Sequence, residues 1–261
     1  MASLYFFAFV IGAIASIYYG YGFHKLGMKC SASKEERMWI HYNFYWLIQQ
    51  FGITKLRSLK VIKPTRSDFP ITHDGSAASV FDVLKIVAKQ MDIDIERIDL
   101  LLFQNLQTKG ATSDAGYYHA AENGRFEIAI EENIVKNAFK LVATIAHELA
   151  HIKLLGENRI TENNEHLTDL TTVFFGFGII NTNAAYQEQF IVNAAARSYA
   201  TESSTLGYLT QSEFAYALAL FSYYRNEWNP SWRKHLSPDV RRLYKINSQF
   251  IRDNEASLFD L

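Results

Sequence analysis

Thr144-Ile145-Ala146-His147-Glu148-Leu149-Ala150-His151 is the stretch that decides how this chain folds and what chemistry it can carry. Residues four apart share one face of a helix, so the imidazoles of His147 and His151 can close on one metal ion, with Glu148 a fraction of a turn round. Leu141, Val142, Ile145, Leu149 and Ile152 recur at three- and four-residue spacing and form an apolar stripe. Stepping about 100° per residue sets both histidines opposite the middle of that stripe and Glu148 on its shoulder. The stretch therefore predicts an amphipathic helix whose leucines face the core and whose histidines face a cleft. The plainer reading is two surface histidines beside an ordinary helical glutamate, and the shared register of all three on the non-core face argues against it.

A tetrahedral catalytic site takes a third protein ligand and keeps one position open for water. Thirteen residues after His151 comes Asn164-Glu165-His166-Leu167-Thr168-Asp169. Gly156 is placed to end the first helix and Thr161 to cap a second one. Glu165 and Asp169 then lie four apart on one face. Glu165 is the candidate third ligand, and Asp169 the acceptor for the free ring N–H of a ligating histidine, which fixes its tautomer. His166 is the rival ligand, but it points about 100° away from Glu165 and has no carboxylate four residues on.

With these residues quoted, the chain resembles the gluzincin metallopeptidases, the thermolysin-like clan. The resemblance rests on His147-Glu148-Leu149-Ala150-His151 together with Asn164-Glu165-His166-Leu167-Thr168-Asp169, similar to that clan's Asn-Glu-x-x-Ser/Thr-Asp segment, and covers about residues 115 to 180. It implies an α+β zincin-like fold, a Zn2+ cofactor held by His147, His151 and Glu165, and Glu148 as the base of a peptide-bond hydrolase. Metzincins fit less well, because their pattern wants Gly and His where this chain has Leu154 and Glu157. The clan also uses a Tyr or His donor to the oxyanion, for which Tyr199, Tyr208, Tyr216 and His235 are all candidates and no motif selects one.

The rest of the chain sets the context. Its 261 residues, 49% apolar and 15% aromatic, suffice for a packed core, and a net charge of −1 gives no basic footprint for nucleic acid. Cys30 is the single cysteine, so no internal disulfide forms. Leu4 to Tyr21 is eighteen residues without a charge, the lower limit for a membrane-spanning helix. Lys25, Lys29, Lys34 and Arg37 follow it and no basic residue precedes it, which places the bulk of the chain in the cytoplasm if residues 1–24 anchor it. A cleavable signal lacks its basic leading region. The alternative for residues 4–21 is a buried element of a soluble core.

Ser33 and Glu36 form a capping box for a helix over 33–51, whose Trp39, Tyr42, Tyr45 and Trp46 either pack inward or lie against a bilayer. Lys55 to Pro70 is basic, carries Pro64 and Pro70, and reads as a linker, so the expected organisation is an anchor at 1–24, a juxtamembrane helix and linker at 25–70, and a zincin-like domain at 71–261. Asp74-Gly75-Ser76 opens a helix over 77–91, and Ile98 to Phe103 is a short strand. Tyr117–Ala120 and Arg125–Ile130 flank Asn123-Gly124, a hairpin signal. Either arm is a candidate edge for an extended substrate, and His119 reads as a surface strand residue. Residues 181–207 are a candidate wall or cover for the cleft. Thr210 and Glu213 cap a helix to about Asn226, and Ser237-Pro238 starts the last one. Two functions follow from this pattern: a membrane-anchored zinc peptidase acting on peptide or protein, or a zincin-fold accessory subunit that holds a membrane-protein partner without cleaving anything.

Overall fold

Asn137 starts the helix at the centre of the molecule, its side-chain oxygen accepting from the backbone N–H groups of Phe139 and Lys140. In the computed structural model, which describes residues 30–104, 116–120, 124–185 and 207–254, every other element packs directly or indirectly around that helix. In chain order these are α1 (Lys34–Phe51), α2 (Ile53–Ser58), α3 (Ala77–Gln90), β1 (Ile98–Phe103), β2 (Gly116–Ala120), β3 (Phe126–Glu131), α4 (Glu132–Val135), α5 (Ala138–His151), α6 (Glu165–Phe174), α7 (178–185), α8 (Gln211–Tyr224) and α9 (Pro238–Asp253). The fold is α+β, with one small mixed sheet.

Both capping boxes form as their spacing requires: Ser33 with Glu36 at the head of α1, and Thr210 with Glu213 at the head of α8. Ser76 caps α3 and Pro238 occupies the first turn of α9. The second metal-site helix departs from expectation. Its cap is Asn164, whose Oδ1 accepts from Leu167 N–H at 3.0 Å, and not Thr161. The segment before it is occupied otherwise, since Arg159 bonds Glu157 and the Gln50 carbonyl and fixes the loop in a non-helical path. α5 also runs past His151 into a π-helical turn at Ile152–Gly156, closed by Glu157 N–H donating to Ile152 C=O at 2.9 Å. That turn carries Lys153, buried against Glu157 with its ammonium over the rings of Phe51 and Phe175.

The sheet order is β1-β3-β2. β1 runs parallel to β3 with Ile98 opposite Phe126, and β2 runs antiparallel to β3 with Gly116 opposite Ile130. The hairpin arms therefore pair as expected, while β1 inserts on the far side. β2 is left as an edge among the described residues.

One apolar core runs through all of this. It joins Ile40, Phe44 and Leu47 of α1 to Val83 and Leu84 of α3, Ile128 of β3, Leu141 and Ile145 of α5, Phe174 of α6, and Phe214 and Leu218 of α8. The expected linker at 55–70 is built into that core: Leu56 and Ile62 are buried, and Ile62 N–H donates to the Gly176 carbonyl at 3.0 Å. Asp68, buried, accepts from Lys63 N–H and pairs with Lys60, so the segment brings a carboxylate of its own into the body. Gly176 has φ +90°, and a Cβ there would collide with the Lys60 carbonyl, so this crossing admits glycine only. Residues 34–70 thus share a core with α5 and α6 instead of tethering them.

No helix among the described residues is long and apolar enough to cross a membrane. The apolar stretch at 4–21 lies outside the described residues, as does most of the expected cover at 186–206.

Candidate metal centre

α5 and α6 lie side by side, and their facing residues meet at one point. His147 Nε2 is 3.0 Å and His151 Nε2 3.4 Å from the same atom, Glu165 Oε2. The two rings stand at 83° with centroids 4.9 Å apart. Four ligands about 2.0–2.1 Å from a tetrahedral centre are separated by roughly 3.4 Å, so these spacings are those of donors ready to share one ion. Among the described residues, His147, His151 and Glu165 are the His/Cys/Asp/Glu group whose donor atoms converge this way.

Each donor is aimed by a partner behind it. His147 Nδ1 lies 2.8 Å from Asp169 Oδ1, and His151 Nδ1 lies 3.4 Å from Thr168 Oγ1. The Thr168 hydroxyl donates to the Asn164 carbonyl at 3.0 Å, which leaves its oxygen free to accept from the imidazole. Glu165, the first residue of α6, benefits from the positive end of that helix. Its other oxygen accepts from Asn163 Nδ2 at 2.6 Å, so Oε2 is turned to the imidazoles. Such contacts set tautomer and orientation as much as the ligands do. Asn163 and Thr168 were missed by sequence reasoning, and only the ligand assignment itself, through residues beside and one turn after Glu165, could have flagged them.

Asp169 does more than orient a ring. It is 1% exposed, and its Oδ2 accepts from the backbone N–H of Tyr208 at 2.6 Å and of Leu209 at 3.0 Å. One carboxylate thereby ties α5, α6 and the 207–209 segment together. That segment lays the Tyr208 ring near-parallel to His147, 6.0 Å away at 23°, while Tyr118 of β2 covers His151 at 6.0 Å and 18°.

The field at the site favours a cation. Burial works against protonating His147, yet the Asp169 and Glu165 carboxylates, with the charge of Glu148, overcome it and push its pKa up to about 10. Burial alone would raise the Glu165 pKa, but hydrogen bonds from His147 and His151 hold it far below the usual carboxylate range. A ring with a carboxylate on each nitrogen must donate twice, so metal-free His147 is an imidazolium. Its folded pKa exceeds the ordinary value of 6.5, so the stability it contributes is complete below pH 6.5 and lost as pH rises through about 10. A metal ion bound by this group would take the place of the Nε2 proton. Zinc uptake at pH 7.5 is therefore expected to release about one proton from His147, read as a buffer-dependent calorimetric enthalpy. An enthalpy that does not change with buffer ionisation would show that His147 is neutral or not a ligand.

Glu148, 4% exposed, sits where α5 meets β2. A Cβ on Gly116 would come within 3.0 Å of Glu148 Oε1, 2.9 Å of Thr144 Cγ2 and 2.9 Å of the Ala129 carbonyl. The edge strand can lie this close to the carboxylate only because residue 116 has no side chain. Gly116→Ala is expected to cost about 1–3 kcal/mol by overpacking, seen as a lowered urea midpoint; an unchanged midpoint would show the strand to be free to move away. The sequence pattern put the histidines on an open face, whereas His151 and Glu148 are buried under α6 and β2.

Other candidates fall elsewhere. His166 is exposed, edge-on to Trp39 at 6.0 Å and 6.2 Å from Tyr208, and is not part of the converging group. His119 is an exposed residue of β2. Tyr216 is fully buried, 2.8 Å from His41 Nε2, where burial raises its pKa well above the ordinary value and lowers that of His41 to about 4. Tyr199 lies outside the described residues, and the His235 carbonyl accepts from Asn183 Nδ2. Of the three oxyanion candidates among the described residues, Tyr208 is the one stacked on a converging histidine. No family model, no curated protein and no solved structure matches this chain, so the centre is defined by its own geometry.

Proposed function

We propose that this chain is a zinc-dependent peptidase of gluzincin type, anchored to a membrane through residues 4–21, with His147, His151 and Glu165 as ligands and Glu148 as the catalytic base. The observation that carries the reading is the meeting of both Nε2 atoms on Glu165 Oε2, with Glu148 on the same helix beneath an edge strand. A structural site needs no base and closes its coordination sphere with four protein ligands. This one offers three converging side chains, and the Glu148 carboxylate is not among those donors.

Zinc bound there supplies a Lewis acid for the scissile carbonyl and a water of near-neutral pKa. The residues do the rest. An extended peptide adds to β2, an edge strand among the described residues, by main-chain hydrogen bonds, which holds its carbonyl at the site. Glu148, buried between α5 and β2, takes a proton from the attacking water and delivers it to the leaving amine. Asp169 and Thr168 keep the two imidazoles aimed while charge develops. Tyr208, stacked on His147, is the candidate for the oxyanion donor among the described residues.

The test is cleavage of a peptide library by the full-length chain in detergent, with and without zinc. Cleavage that a chelator abolishes and added zinc restores supports the peptidase. Bound zinc with no product from any peptide, and stable co-purification with a membrane complex, supports the accessory-subunit reading instead.

A further inference from the structure

We infer that the outer face of α1 rests on the surface of a lipid bilayer, so that the metal site opens beside the membrane. The inference takes residues 4–21 as the anchor proposed above.

Met38, Tyr42 and Tyr45 recur at four and three residues and share one face of α1. They are 42%, 74% and 52% exposed, an unusual amount of apolar and aromatic surface to leave in water. Trp39 and Trp46 flank them, half-buried. Tyrosine and tryptophan are the side chains that suit the boundary between hydrocarbon and water, with an apolar body and a polar tip.

The position of the chain's exit says what covers this face. Ser31 N–H donates to Asn247 Oδ1 at 3.1 Å, and Asn247 Nδ2 donates back to Ser31 Oγ at 2.8 Å. Asn247 is fully buried in α9, so the chain is fixed to the body three residues before α1 begins. From there to Tyr21 only Gly22–Cys30 intervene, nine residues that span at most about 32 Å. The stripe starts in the first two turns of α1. An anchor at 4–21 therefore holds the head of α1 near the bilayer, and the aromatic face is the part of that helix built for contact.

A line of rings joins this face to the metal centre. Trp39 meets His166 at 6.0 Å, His166 meets Tyr208 at 6.2 Å, and Tyr208 stacks on His147 at 6.0 Å. With α1 on the bilayer, the mouth of the site is presented to polypeptide lying along the membrane surface. If the centre is a peptidase, its substrates are membrane-proximal segments.

The experiment uses the full-length chain with Cys30→Ser, reconstituted in vesicles of phosphatidylcholine and phosphatidylglycerol. Spin labels go on Tyr42→Cys, Tyr45→Cys or, for comparison, Phe81→Cys on exposed α3. Bilayer contact predicts that the ratio of oxygen to aqueous nickel-chelate collisions is at least about threefold higher at 42 and 45 than at 81, as for side chains seated 5–10 Å into the interface. Equal ratios in chains that stay with the vesicles overturn the inference and leave the anchor standing. Chains that do not associate with vesicles overturn both. Protection from nickel at 42 and 45 without a gain in oxygen collisions assigns the face to a protein, a second copy or a partner, and also overturns it. The readout is blind to zinc and cleavage, so the peptidase reading stands or falls separately.

Discussion

Glu148→Gln is expected to lower peptide turnover by about 10²–10⁴-fold, the contribution of a positioned general base, while zinc content and folding stay at wild-type levels. Glutamine keeps the shape of the side chain that Gly116 makes room for, and it cannot take a proton. Glu148 is not among the converging donors, so metal binding has no reason to change. Steady-state cleavage set beside zinc per chain decides the matter. Loss of both together would make Glu148 a ligand or a folding residue, and full activity would remove it from the chemistry.

The second large effect is expected at Asp169. Asp169→Ala strands the His147 Nδ1–H and the backbone N–H groups of Tyr208 and Leu209 in a buried place. Each orphaned donor costs about 1–3 kcal/mol, and breaking a buried charge pair costs about 3–5 kcal/mol, with the two figures overlapping and not additive. We expect a total loss of about 3–5 kcal/mol in urea unfolding of the metal-free protein. Zinc affinity should fall a further 10–100-fold through the misdirected imidazole, measured on folded protein by competition with a chelator. Asp169→Asn restores one acceptor but turns an NH2 group toward a donor, so it should fall between the two. A stable Asp169→Ala chain with unchanged affinity would mean that His147 is oriented by something else.

What the sequence revealed, and what it did not, follows the range of the interactions involved. The α5 helix, the capping boxes of α1 and α8 and the antiparallel pairing of the two hairpin arms are encoded within a few residues of themselves, and each is legible from spacing, although Asn123 itself lies outside the described residues. The assembly of His147, His151 and Glu165 was legible too, because two helices with fixed periods leave few ways to bring three donors together. The edge strand was not. Whether β2 or β3 lies outermost depends on β1 inserting beside β3, a parallel pairing across more than twenty residues that no local pattern announces. The cap of α6 was misplaced for a related reason: Thr161 and Asn164 are both good caps, and the choice was made by Arg159 reaching back to the Gln50 carbonyl. The segment 55–70 looked like a linker because prolines and bare charges usually mean solvent. Here the buried Asp68 pairs with Lys60 at 2.8 Å and lies 3.8 Å from Lys63, and Ile62 fills the core.

Chelator-competition measurement of zinc bound by the intact chain and by Glu165→Ala tests the central claim most directly. The account predicts about one zinc per wild-type chain and an affinity at least about 10²-fold weaker in the variant, because a three-ligand site loses a third of its protein donors. A chain that binds no zinc, or binds it equally well without the Glu165 carboxylate, contradicts it.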